Sequence, residues 1–325
     1  MSEKIALITG EAGDAQGWGN MHVTEEVRKA ILANGFDCDI ICAESPDELK
    51  SGLNLSKPDL AWSSLYFFSD KAEIIGASDN AVWVADLLDE WQIPYVGPSA
   101  KTMKNLISKY CTHEVLAAAG VRVPRHLLCP PGSADDIDFF PAFVKPNGES
   151  RSIGISDKSV AENPQQLAAQ IKFIQQELKQ EALVEEYLPG REYTVMVIGN
   201  GKRQEILPGR VTVGKEHYGK YPILRSDLRG VGLTKVSIPE EHFDECVQLA
   251  DAACKALNCQ DHIRMDMRED ADGNLRIMEV NGIPGLKPVK SWSPQIYTLY
   301  HPTGDPYVNL IGTIVRTRMD RTRDF

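Results

Sequence analysis

Two spacings of apolar residues alternate through the first hundred positions. Lys4–Thr9 is a nearly continuous apolar run of strand length, and Asp37–Cys42 and 59–66 have the same character. Between them, Val23, Val27 and Ile31 recur at helical spacing, and Gly35 follows as a C-terminal stop for a helix over 23–34. A helix over 80–91 and a short strand over 93–97 complete the unit. Strands alternating with helices predict a parallel sheet covered by helices, an α/β arrangement. The stretch 99–119 predicts one helix containing Lys101, Lys104 and Lys109, with Gly120 ending it. A second strand set is expected at 142–145, 153–156 and 182–187, with a helix over 163–177. Longer β runs at 193–198 and 206–213 precede a helix over 240–257, a hairpin around Asp272-Gly273 and a Pro/Gly-rich loop at 282–288. The segment 307–318 is expected to be helical. Its arginines at 316, 318, 321 and 323 read most simply as a solvated helix end.

The hairpin carries the most chemistry. Asp-Gly is the preferred centre of a two-residue type I′ turn. Counting outward from it places Asp266 opposite Glu279 and Arg264 opposite Asn281. Each pair of positions on a strand steps by two, so all four side chains share one face. Two carboxylates and an amide oxygen are hard ligands suited to Mg²⁺ held jointly with phosphates. The guanidinium can neutralise a transferring phosphoryl group. An ordinary half-buried hairpin with a surface ion pair fits the same pattern.

Two further segments are weaker when taken singly. Lys145 sits at a strand end before Asn147, Gly148, Ser150, Arg151, Ser152 and Gly154, a loop able to aim N–H groups at phosphates without the order of a P-loop. The run 183–192 leaves Glu185 and Tyr187 on one face before a Pro-Gly turn, and its extended backbone could pair with adenine. Gly10, Gly13 and Gly17 do not have the spacing of a dinucleotide fingerprint, which argues against NAD. The seven histidines are dispersed, and none is nominated.

Charge narrows the partners. The formal net charge is −11 over 325 residues, which argues against general nucleic-acid or anionic-membrane binding but not against a local basic pocket. The seven cysteines form no CxxC pair, and the first residues do not read as a signal peptide. Reduced thiols in a cytoplasmic protein are the simplest expectation.

Taken in order, the pieces resemble the ATP-grasp superfamily, most closely its D-alanine–D-alanine ligase branch. The resemblance runs from about Ile93 to Pro288. It rests on Ile93-Pro-Tyr-Val-Gly97, on Lys109 before Gly120, on Phe143-Val-Lys-Pro146 and on Ser152-Ile-Gly-Ile-Ser156. It continues through Val184-Glu-Glu-Tyr-Leu-Pro-Gly-Arg-Glu192, Arg264-Met-Asp266 and Met278-Glu-Val-Asn-Gly-Ile-Pro-Gly285. It implies an ATP-grasp fold in three parts: 1–98 on the substrate side, 99–183 central, and 184–325 carrying the metal. It implies an ATP-dependent carboxylate–amine ligase using Mg²⁺ or Mn²⁺ on small amino-acid-like substrates, with a homodimer as a family expectation. Lys109 and Lys145 would reach the nucleotide phosphates. Glu185, Tyr187 and Leu188 would hold adenine, and Glu192 the ribose. Asp266, Glu279 and Asn281 would bind the metal, and Arg264 would sit on the acyl phosphate. Lys215 or Lys220 would lie in the loop that covers the nucleotide, and Arg151 and Ser152 beside the first substrate.

The departures lie on the amino-acid side. The family's His-Gly-x-x-Gly-Glu-Asp-Gly stretch is replaced by Ser63-Ser-Leu-Tyr-Phe-Phe-Ser69 and by Ser78-Asp-Asn-Ala81. No acid for the first amino group is evident, although Trp18-Gly-Asn-Met-His22 stands nearby. Arg151 replaces a small serine, and Lys290 falls near the place of a serine that holds the second carboxylate. The substrates are therefore expected to differ from two D-alanines, and at least one to carry an extra anionic group. Cyclisation within one substrate and ATP binding without turnover are the competing readings.

Overall fold

The computed structural model describes residues 2–70, 80–130, 137–149, 151–225, 228 and 233–323. β1 (Lys4–Thr9) leads through α1 (Gly13–Gln16) and α2 (Met21–Ala33) to β2 (Asp37–Cys42), and α3 (Pro46–Ser56) leads on to β3 (Leu60–Ser63). The three strands pair in parallel in the order β2-β1-β3. Caps explain where the helices start. The Asn20 side chain accepts from Val23 N–H, and Ser45 accepts from Glu48 N–H with Pro46 in the first turn.

β4 (Phe67–Phe68) and β5 (Val82–Trp83) make a small ribbon before α4 (Val84–Glu90). Ser78 and Asp79 lie outside the described residues. The expected strand over 93–97 reduces to one parallel bridge, Tyr95 to Ala61. The expected single helix over 99–119 is two, α5 (Ala100–Ile107) and α6 (Lys109–Ala118). Ser108 breaks it: its backbone is extended (ψ 107), and its hydroxyl caps α6 at Cys111 N–H, 3.2 Å away.

β6 (His126–Cys129), β7 (Ala142–Pro146), β8 (Val160–Ala161) and, after α7 (Pro164–Glu177), β9 (Ala182–Glu186) form an antiparallel sheet in the order β6-β9-β7-β8. The strand expected at 153–156 is instead a turn, and β8 follows it. Arg151, Ser152 and Gly154 all have positive φ (58°, 59° and 76°), which an extended strand cannot accommodate.

β10 (Glu192–Ile198), β11 (Glu205–Val213), β12 (Thr234–Ser237), α8 (Phe243–Leu257), β13 (His262–Glu269) and β14 (Leu275–Asn281) follow. Their strands form a five-stranded antiparallel sheet, β12-β11-β10-β13-β14. α8 packs on one face, with Ile263, Met265 and Met267 buried in the same core as Cys246, Ala250 and Leu257. α9 (Trp292–Tyr300) packs on β11 and β12, while α10 (Pro306–Arg323) returns to α2. Leu310, Ile311 and Ile314 there share a core with Ile5, Val27 and Ile31. The arginine tail is thus not simply solvated. Arg318 is buried, its Nε donating to Tyr95 O, and Arg321 donates to Gly97 O at 3.2 Å and pairs with Asp261 at 3.3 Å. No described helix is long and apolar enough to cross a membrane.

Candidate active site

The hairpin β13–β14, at one edge of the five-stranded sheet, pairs Arg264 with Asn281 and Asp266 with Glu279, as the count from the turn predicts. The route to that register differs from the predicted one. The turn is a three-residue loop, with Gly273 N–H donating to Asp270 O and Asp270 N–H donating to Asn274 O. Gly273 takes the left-handed position (φ 83°) that such a loop requires. This displaces the pairing by one residue, to Met267–Ile277, and a bulge at Met278 restores it before Asp266.

Asp266 is held from two sides. Arg264 donates to both its oxygens, at 3.0 and 2.9 Å, and Thr194 Oγ1 on β10 donates to Oδ1 at 2.8 Å. The Arg264 guanidinium lies 5.0 Å from the ring centre of Trp292. All of these side chains but Trp292 come from neighbouring strands of one sheet, so the arrangement is rigid.

Two buried lysines converge on β14. Lys109, at the start of α6, lies 3.4 Å from Glu279 Oε1 and also donates to Glu149 O. Lys145, at the end of β7, pairs with Glu185 at 2.7 Å and donates to Met278 O at 3.2 Å. They thus meet consecutive residues, 278 and 279. Burying two ammonium groups is costly and yields little net stability even when they are paired, so a gathered set of this kind is suited to an anionic ligand. Burial pushes the Glu185 carboxyl up, and Lys145 pulls against it.

Sequence reasoning missed His113. It is fully buried, with Nε2 3.2 Å from Met278 O and Nδ1 3.4 Å from Glu185. Burial holds its pKa well below the usual histidine value, with Lys145 adding to the effect, so the ring is neutral. Its spacing of four from Lys109 on a helix was the available signal.

Outside the cavity lining, Tyr187 stacks edge-on against Tyr221 with centres 5.0 Å apart, Leu188 is buried, and Glu192 lies 3.8 Å from Arg268. Ser152 Oγ donates to Leu224 O at 3.0 Å, and Lys220 pairs with Glu162, so the 220–225 segment is fastened to the four-stranded sheet and its loops. Lys215 is exposed in a short turn and, like Lys220, stands apart from the cavity lining.

That cavity has a volume of about 850 Å³. Its walls come from the loop after β1, the loop after β7, β12, and the 282–291 segment between β14 and α9, and Lys109, Arg264, Glu279 and Asn281 also line it. Asp14 lines it and pairs with Arg151 at 3.0 Å. An acid thus stands near the cavity outside the 18–22 stretch that the sequence pattern points to. Asp14 sits in the short helix α1, and the closeness of its end to the 63–66 segment explains Gly17: a Cβ there would stand 2.0 Å from Ser64 O.

The family described as D-ala D-ala ligase C-terminus matches residues 135–316. A D-alanine–D-alanine ligase of Halalkalibacterium halodurans is 30% identical over 293 residues, covering 88% of this chain and 90% of that protein. The chain belongs to the D-alanine–D-alanine ligase family. It is accordingly an ATP-dependent carbon–nitrogen ligase that uses ATP and Mg²⁺. The crystal structure of the D-alanine–D-alanine ligase from Bacillus anthracis complexed with ATP superposes with a TM-score of 0.72 at 21% identity, covering 98% of this chain and 100% of that one. The VanG D-Ala:D-Ser ligase from Enterococcus faecalis gives 0.68 at 19%, with coverage of 98% and 100%. Both share the ATP-grasp fold with this ligase. The donor set fits the metal, since Asp266, Glu279 and Asn281 offer hard oxygens from paired positions on adjacent strands.

Proposed function

We propose that this ligase joins two amino-acid-like substrates, other than a pair of D-alanines, through an acyl phosphate. One substrate's carboxylate oxygen takes the terminal phosphoryl group of ATP, and ADP leaves. The amine of the other attacks the acyl carbon, loses a proton, and inorganic phosphate departs. The observation that carries the reading is the convergence of Lys109 and Lys145 on residues 278 and 279, beside the Arg264–Asp266 pair.

In this reading Lys109 and Lys145 bind the phosphates, and Glu185, Tyr187, Leu188 and Glu192 line the nucleoside side. Asp266, Glu279 and Asn281 hold Mg²⁺, which when bound supplies positive charge to the phosphate oxygens. Arg264 neutralises charge on the transferring group. The stretches 1–98, 99–183 and 184–325 contribute the amino-acid wall, the phosphate loop and the metal strands. Lys215 belongs to the segment over the nucleotide, and excluding water there protects an acyl phosphate from hydrolysis. Asp14, paired with Arg151, is placed to receive the ammonium of the activated amino acid. Support for a changed substrate pair comes from the 63–69 segment, where Tyr66 stands in the cavity wall, and from Arg151 and Lys290 in the lining.

Phosphate release from ATP and Mg²⁺ tests the proposal, with D- and L-amino acids given singly and in pairs and product masses read in parallel. Release that needs two acids, with a product equal to their sum minus water, is expected. Release with one acid and a product lighter by water would replace the reading with cyclisation. Efficient ligation of D-alanine to itself would refute the substrate claim.

A further inference from the structure

We propose that the amine-donating substrate is an acidic amino acid, or another amine with at least two carboxylates, held by Lys235, Lys287 and Lys290. The inference rests on the ligase reading above and names the class of its second substrate. Among the described residues, six cationic side chains line the cavity. Three are already matched: Lys109 by Glu279, Arg264 by Asp266, and Arg151 by Asp14. Arg151 therefore contributes less to anion recognition than its sequence position implied. The other three, Lys235 on β12 and Lys287 and Lys290 in the 282–291 segment, have no ion-pair or hydrogen-bond partner for their amines among the described residues.

The two lysines of the segment are presented by a built turn. Lys287 N–H donates to Ser291 Oγ at 3.0 Å, and Ser291 N–H donates back to Lys287 O at 2.9 Å. Gln295 Nε2 fastens Lys290 O at 3.0 Å. Between them Val289 takes φ 63°, a left-handed conformation in which a β-branched residue is strained. Val289 is 78% exposed, so no burial of its side chain compensates for that strain. This turn keeps two lysines, three residues apart, in the cavity wall.

Chemistry assigns the wall to the amine donor. The activated substrate gives up its carboxylate charge at Arg264 and Lys109, and its ammonium needs an acid such as Asp14. The attacking amine must instead be neutral. A carboxylate beside it would hold it protonated, whereas neighbouring lysines disfavour the ammonium form. An ordinary amino acid offers a single carboxylate to a wall lined by three amines. A second carboxylate completes the match.

The test compares isosteric acceptors with the wild-type enzyme at saturating ATP, Mg²⁺ and first substrate: glutamate against glutamine and aspartate against asparagine, in both configurations. The acid is expected to exceed its amide in kcat/KM by about tenfold or more. That ratio is expected to fall towards one in the Lys287→Gln/Lys290→Gln double variant. Should the double variant not fold, Lys290→Gln alone, at an exposed position, gives the same ratio reduced in part. An amide that serves as well as its acid, or a ratio unmoved by the substitutions, overturns the inference while leaving the ligase reading intact. Absence of phosphate release with every pair of amino acids would overturn both.

Discussion

Removing the Tyr66 hydroxyl isolates one contact between the two parts of the chain that shape the amino-acid side. Tyr66 is buried in the segment that departs from the family pattern, and its hydroxyl accepts from Ile283 N–H at 2.9 Å, 217 residues away. Ile283 is the second residue of the 282–291 segment that carries Lys287 and Lys290. The Tyr66 backbone is itself fixed, its N–H donating to Gln16 at 2.7 Å and its carbonyl accepting from Val84 N–H at 2.9 Å. Burial pushes the hydroxyl up, so it stays a neutral acceptor throughout the working pH range. In Tyr66→Phe the ring remains and Ile283 N–H loses its partner. An unsatisfied buried donor costs about 1–3 kcal/mol. Ile283 is only half-buried, so water reaches it in part, and the lower bound of about 1 kcal/mol applies. If the segment must be re-ordered when the amine donor binds, about 1 kcal/mol appears as a roughly fivefold rise in that substrate's KM. The KM for ATP is expected to stay unchanged, because the nucleotide side is held by other strands. A cost of this size lowers Tm by no more than about 2–4 °C in a chain of this length. The assay is phosphate release with each substrate varied in turn. An unchanged KM for the amine donor in a variant that folds normally would refute the anchoring role. A rise in the KM for ATP of the same size would show that the contact supports the whole site instead.

Other perturbations separate folding from chemistry. Gly17→Ala puts a Cβ 2.0 Å from Ser64 O, a backbone atom that cannot swing aside; destabilisation of about 1–3 kcal/mol is expected in thermal unfolding. Asp266→Asn preserves shape but removes the charge that faces Arg264, and kcat is expected to fall by roughly a hundredfold or more with little change in circular dichroism; wild-type turnover in the variant would remove Asp266 from the metal set. His262, fully buried beside Arg264, has its pKa pushed down to about 3, mainly by burial. The unfolded chain takes up that proton near pH 6.5 while the folded one does not, so stability is full above about pH 6.5 and declines as pH falls towards 3. By pH 5 the loss is about 2 kcal/mol. His262→Gln, which can keep a bond to Ser293, should flatten the acid limb of Tm against pH, and an unchanged limb would show that other groups set it.

What could be read from the sequence was mostly what depends on short-range periodicity. The face shared by Arg264, Asp266, Glu279 and Asn281 follows from period two, and it survived a turn of a different type because a bulge restored the register. What escaped depends on contacts between distant segments. Asp14 and Arg151 are separated by 137 residues, and the positive φ of Arg151 and Ser152 is not signalled by their residue types. Two misread segments account for each other. The run 93–97 has strand composition but only one bridge, to Ala61; Pro94 O and Val96 N–H face Ala61, so the carbonyls of Tyr95 and Gly97 face the open edge. Tyr95 O is taken by Arg318 and by Arg321 at 3.2 Å, and Gly97 O by Arg321. Buried carbonyls must be paired, and here the last helix supplies the donors. An arginine row that reads as a solvated end in a helix taken alone thus completes, through side chains, the edge of the parallel sheet that the chain began.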